Sequence, residues 1–186
     1  MPDALQHTMT GSFICRRRVA LLCTLLALTL LAGCGYKFAG SAGNRLDSNH
    51  LIWVSFIANE SISPSAQTLL RRALLEEAHA MRGIAPAGSA DSADLLVSGA
   101  LRSYSSTVVA YTAADQAREF RLTIDVELEL RRKGEGTPLW KGKLQAYQDF
   151  PSNANLALQR NNEEAALAAA SKKMAQKFLT AVEQSY

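Results

Sequence analysis

The chain has 186 residues, 48% hydrophobic and 20% charged, with 20 Lys and Arg against 17 Asp and Glu for a net charge of +3. That balance excludes nucleic-acid binding by bulk charge, and the modest 11 Gly and 5 Pro exclude wholesale disorder. Three cysteines and three histidines are too few for a disulfide framework or a metal cluster, and the length suits one domain.

The N-terminal segment reads as an address. Arg16-Arg17-Arg18 precede 13 uncharged residues, Val19 to Leu31, and small residues follow at Ala32 and Gly33. This is the order of a secretory signal, and the run is too short for a membrane span of about 20 residues. The start can be Met1 or Met9. Leu31-Ala32-Gly33-Cys34 resembles the lipobox of bacterial lipoproteins. That resemblance implies cleavage before Cys34 and lipidation of its thiol, the best side-chain nucleophile for the task. Several acyl chains anchor stably, at about 0.8 kcal/mol per buried CH2. Gly35 stands where an Asp holds lipoproteins at the inner membrane, which implies the outer membrane of a Gram-negative cell, reached through the periplasm.

Three segments result: a removed signal at 1–33, the lipidated Cys34 with a flexible tether at 34–48, and a single domain at 49–186. The 153 residues after cleavage carry 17 Lys and Arg against 16 acids. Cys34 is their only cysteine, so no intramolecular disulfide is available and the core must supply the stability.

The domain reads as β-α-β-β-β-α. Leu51 to Ala58 is apolar on both faces, as in a strand covered on both sides. Pro64 to Arg82 has helical period, with Ala66, Leu69, Leu70, Ala73, Leu74, Ala78 and Met81 in one stripe. Ser63 can cap it, Pro64 suits the first helical position and Gly83 can end it. Ile84 to Ser92 is a loop. Ala93 to Tyr111 is a long strand with a break expected near Gly99, and Thr112 to Gln116 is a hairpin loop. From Phe120 to Leu130 apolar and polar residues alternate without interruption, the mark of a half-buried antiparallel strand. Lys133 to Thr137 is a turn, Leu139 to Phe150 the next strand, and Pro151 to Asn155 opens a long terminal helix. Leu167, Ala170, Met174, Phe178 and Val182 mark its apolar face. The fold class is α+β: a four-stranded, mostly antiparallel or mixed sheet with both helices on one face.

No residue stands out as catalytic. His50 and His79 lack a partnering nucleophile, and there is no G-x-S-x-G elbow or phosphate-binding glycine loop. No metal or cofactor is expected. Asp125, Glu127 and Glu129 share a strand face. They read either as paired carboxylates or as cross-strand ion pairs with Arg102, Lys141 and Lys143, and the second needs fewer coincidences. Trp53, Tyr104, Tyr111, Trp140 and Tyr147 serve core packing or a partner surface. Arg118, Arg121, Arg131, Arg132, Lys133 and Arg160 are solvated charges, or contacts to an anionic lipid.

Three motifs carry a resemblance to the LptE family of lipopolysaccharide-assembly lipoproteins. They are Cys34-Gly35-Tyr36-Lys37-Phe38, Arg118-Glu119-Phe120-Arg121-Leu122 after the hairpin, and Leu156-Ala157-Leu158-Gln159-Arg160-Asn161-Asn162-Glu163-Glu164 opening the last helix. Order and spacing are similar from Cys34 to about Ala181. The resemblance implies a non-catalytic lipoprotein. It would plug an LptD-type β-barrel, help assemble it, insert lipopolysaccharide into the outer leaflet and bind that lipid itself. Arg160 matches the family's basic position before the Asn-Glu pair. The family's other basic contact is on the hairpin, but Thr112 to Gln116 has no basic residue, so Arg118 is the nearest candidate, with Arg121 beside it. Two alternatives stand: a lipoprotein regulator of a peptidoglycan synthase or secretion complex, and a small hydrolase, for which no nucleophile is seen.

Overall fold

The computed structural model describes residues 46–185. The signal segment, Cys34 and most of the tether lie outside the described residues. In chain order the elements are β1 (Leu51–Val54), β2 (Ala58–Asn59), α1 (Ala66–Arg82), β3 (Ala85–Pro86), a single 3-10 turn (Ala90–Ser92), β4 (Leu95–Tyr111), β5 (Ala117–Arg132), β6 (Trp140–Pro151) and α2 (Leu156–Gln184). The strand order is β3-β1-β4-β5-β6, with β2 also paired to β4. The pairs β1–β3, β1–β4 and β2–β4 are parallel, and β4–β5 and β5–β6 are antiparallel. The protein is therefore α+β with a mixed sheet.

The sheet has six strands rather than four, for local reasons. The expected strand Leu51 to Ala58 leaves the ladder after Val54. Ser55 sends both its N–H and its hydroxyl to the Val97 carbonyl, at 2.9 and 3.0 Å. Ile57 then turns into the core at 1% exposure while Phe56 turns out at 75%. The chain rejoins β4 opposite Ala100 and Leu101 as β2. Nor is β1 covered on both sides: Ile52 and Val54 are buried, Leu51 is exposed and Trp53 half-buried. The additional strand β3 comes from the segment expected to be loop.

Helix α1 begins at Ala66, two residues after Pro64, with Ser65 at its cap and no side-chain cap bond. Ser63 lies two residues before that cap, with its backbone held in a turn. Its carbonyl accepts from the Asn59 amide at 2.7 Å, in a turn where Asn59 also accepts from the Ser61 N–H. The far end closes as expected. Gly83 adopts φ 68°, its N–H reaches the His79 carbonyl at 2.8 Å, and the Ile84 N–H reaches Ala78 at 3.3 Å. Helix α2 is capped by Asn155, whose side chain accepts from the N–H groups of Ala157 and Leu158 at 2.9 and 3.3 Å.

Strand β4 runs through Gly99 without a break. A Cβ there would lie 2.2 Å from the Glu127 carbonyl oxygen, so only glycine allows β5 to approach this closely. The irregularity nearest to it falls at Arg102, where the register with β5 shifts between Leu101 and Ser103.

The core lies on one face of the sheet. Leu122, Ile124, Val126, Leu128 and Leu130 of β5 meet Ala146 and Phe150 of β6 and the α2 side chains Leu167, Ala170, Met174, Phe178, Leu179 and Val182. Helix α1 adds Leu70, Ala73, Leu74 and Ala78. Trp140 packs edge-on against Phe178, centroids 5.3 Å apart.

Candidate functional site

Two regions gather chemistry-bearing side chains: the end of the sheet where β5 begins, and the sheet face opposite the helices.

The first is built by backbone bonds. The Ser152 N–H donates to the Arg118 carbonyl at 2.9 Å, joining the start of β5 to the segment after β6. The Asn162 amide donates to the Pro151 carbonyl at 3.1 Å, and the Asn153 N–H reaches the Gln159 side chain at 2.7 Å. These bonds fix the first turns of α2 at this end. Phe120 stacks on Phe150 below, centroids 5.6 Å apart. The Tyr104 hydroxyl donates to the Glu163 carboxylate. Burial, then the carboxylate itself, pushes the Tyr104 pKa well above the usual phenol value, so it stays a donor.

The three arginines singled out in the sequence differ here. Arg118 and Arg160 are exposed, and among the described residues no hydrogen bond or ion pair engages either side chain. Arg121 is committed: it grips Asp149 with two nitrogens at 2.7 and 2.8 Å and lies 4.6 Å from the Tyr147 ring centroid. The Arg121 guanidinium in turn holds the Asp149 carboxyl below the usual carboxylate range. Beside Arg160, Leu156 and Leu158 point outward at 66% and 48% exposure. Sequence reasoning passed over these two. The signal was two leucines in the first turn, ahead of the buried stripe that begins with Ala166 and Leu167.

The second region is the polar face of β4, β5 and β6. Arg102, pushed into a bulge, bonds Glu60 and also Glu127 at 3.0 Å. Glu129 pairs with Arg131 and with Lys141 at 3.4 Å. Asp125 accepts from the Ser103 hydroxyl and from the Gln145 amide at 2.8 Å. Hydrogen bonds from Arg102 and Arg131 hold the Glu127 and Glu129 carboxyls below the usual range. Glu127 and Glu129 are thus tied across strands by Arg102 and Lys141, while Asp125 is held by neutral donors. Lys143, expected to join them, forms no salt bridge among the described residues. His50 accepts from the Asp47 N–H at 3.3 Å within its own turn, away from this face. Among the described residues no group of His, Cys, Asp and Glu is placed to hold a metal ion.

Such a fold, two helices on a mixed sheet whose outer face is polar and largely self-paired, is that of a small α+β scaffold. The family model described as LptE, lipopolysaccharide-assembly, matches residues 50–182, and the chain belongs to that family. It is therefore a membrane-associated lipoprotein of lipopolysaccharide assembly, from a non-enzymatic family that works with the lipopolysaccharide transport machinery. Among solved structures, a putative lipoprotein from Caulobacter crescentus is 15% identical with a TM-score of 0.50, over 71% of this chain and 87% of that one. A hypothetical protein from Chlamydia trachomatis is 10% identical with a TM-score of 0.50, over 72% of this chain and 95% of that one. A rare lipoprotein B from Shewanella oneidensis is 16% identical with a TM-score of 0.45, over 67% and 91%. At these identities the first two are likenesses of fold. No curated protein matches the chain.

Proposed function

We propose that this protein is an outer-membrane lipoprotein that plugs an LptD-type β-barrel, helps that barrel assemble, and meets lipopolysaccharide through exposed basic residues. The observation that carries the reading is the outer sheet face. Its Glu127 and Glu129 are matched by Arg102, Arg131 and Lys141, and its Asp125 is held by Ser103 and Gln145, so it is polar with its acids partnered. The lumen of a membrane β-barrel is polar, and a plug needs such a surface rather than an apolar one. Arg118 and Arg160 supply free guanidinium groups for the lipid's phosphates, which arginine binds in bidentate fashion. Arg121 can add to them only by giving up Asp149. The reading also takes Cys34 as the lipidated residue and lipid chains as the membrane anchor.

The test is a mild-detergent pull-down of the tagged, lipidated protein with mass spectrometry. A near-stoichiometric large outer-membrane β-barrel is the expected companion. Cys34→Ala should stay an unprocessed precursor. A peptidoglycan synthase in place of the barrel would overturn the plug.

A further inference from the structure

The sheet treats its edges unequally. Strand β3 is two residues long and ends in Pro86. Strand β6 is guarded by α2: Lys177 donates to the Gln145 carbonyl at 2.8 Å and Lys173 to the Tyr147 carbonyl at 3.4 Å. Short strands, prolines and lysines are the devices that keep an edge from pairing.

Strand β4 has no proline, lysine or covering helix bond of this kind along its outer half, and its bulges are confined to the last residues, Val108 to Tyr111. On the side away from β5 it pairs with β1 at Leu95–Val97 and with β2 at Ala100 and Leu101. From Ser103 to Tyr111 no described strand lies against it. This stretch reads Ser-Tyr-Ser-Ser-Thr-Val-Val-Ala-Tyr, with no charge, proline or glycine. Its register with β5 is regular from Ser103 to Val108 and shifts twice beyond, between Val108 and Ala110 and between Ala110 and Tyr111. Backbone N–H and C=O groups on such an edge are met by water or by another extended chain.

A second copy fits poorly. Antiparallel self-pairing over Ser103–Val108 has its two-fold axis between Ser105 and Ser106. That carries the copy's turn, Thr112 to Gln116, onto Leu95 to Gly99, where β1 already pairs. A strand from a different chain meets no such obstacle.

We propose that Ser103–Tyr111 accepts an extended strand of the β-barrel partner before that barrel closes, so that β4 acts as a template during assembly. The identity of the partner rests on the function proposed above. Membrane-spanning β-strands run about 9–11 residues; the regular stretch Ser103–Val108 is long enough to start such a strand, and the irregular Val109–Tyr111 extends the open edge towards that length. A closed barrel has no edge to offer, so the pairing belongs to assembly and not to the finished plug. An uncharged edge places no charge opposite the apolar residues of such a strand.

The experiment uses the lipidated full chain in cells, with a photo-crosslinking side chain at position 107 or 109 and a control at position 145 on β6. During a pulse of barrel synthesis, positions 107 and 109 should capture a peptide from a membrane-spanning strand of the barrel, and position 145 should not. Thr107→Lys with Val109→Lys should slow barrel maturation roughly tenfold. Val109 is 43% exposed, so the melting temperature should stay within about 3 °C. Thr107→Val should assemble normally. If the wild type co-purifies with the barrel but neither position crosslinks to it, or if the double variant assembles at the wild-type rate, the template is overturned and the plug stands. If no barrel co-purifies at all, the plug fails and the template fails with it.

Discussion

Arg118 and Arg160 differ from Arg121 in one respect that decides their use: no carboxylate holds them among the described residues, whereas Asp149 holds Arg121 at two points. A phosphate approaching Arg160 displaces only water. Reversing that charge should therefore act directly, and Arg160→Glu is expected to weaken lipopolysaccharide binding by roughly tenfold in a direct binding assay with purified protein. Unchanged affinity would reduce Arg160 to a surface charge. That Arg118 stands near the start of a strand and Arg160 near the start of a helix was readable from the residues around them. The claim of Asp149 on Arg121 was not, because it depends on the β5–β6 register, which pairs Arg121 with Asp149 across strands. Gly99 is a similar case. A glycine inside a strand pattern signals a bulge or a close approach, and the sequence could not say which. The backbone of β5 at Glu127 decides for close approach.

At the scale of elements, β5 was the most readable, since unbroken alternation leaves one assignment for each side chain. The helix ends were half readable. Gly83 ended α1 as a left-handed cap should, but the helix starts only at Ala66, because the backbone of Ser63 is held in the Asn59 turn, which spacing does not reveal. The splitting of the first strand was hidden too, because an apolar run looks the same whether or not Ser55 to Ile57 stay in the ladder. The polar face of β4, β5 and β6 carries a pH signature. Glu127, Glu129 and Asp149 are each held below the usual carboxylate range by an arginine. A carboxyl whose folded pKa is depressed contributes stability above its unfolded pKa, about 4, and that contribution is lost as pH falls through the folded value. The melting temperature should thus be level from pH 7 to about 5 and decline below about 4. A curve still level at pH 3 would remove these pairs from the stability of the sheet.

For the whole molecule, the two helices on one face followed from their apolar stripes, while the strand order did not, since β1 beside β4 is a long-range pairing that no local pattern announces. The core is a single layer between sheet and helices, and Phe178 sits at its centre, 1% exposed and packed against Trp140. Phe178→Ala should cost about 3–5 kcal/mol, read as a lower denaturant midpoint at unchanged slope. A loss below about 1 kcal/mol would mean that the layer refills the space by collapse.

The two α2 lysines bonded to β6 have one more consequence. Growth of stacked strands into a filament is a step polymerisation, and it needs a unit with two reactive sides. Lys173 and Lys177 occupy one side of this sheet by bonding its outward carbonyls. What is left is monofunctional. It can add one strand and then stop, which lets a protein keep a bare ladder exposed without seeding a fibre.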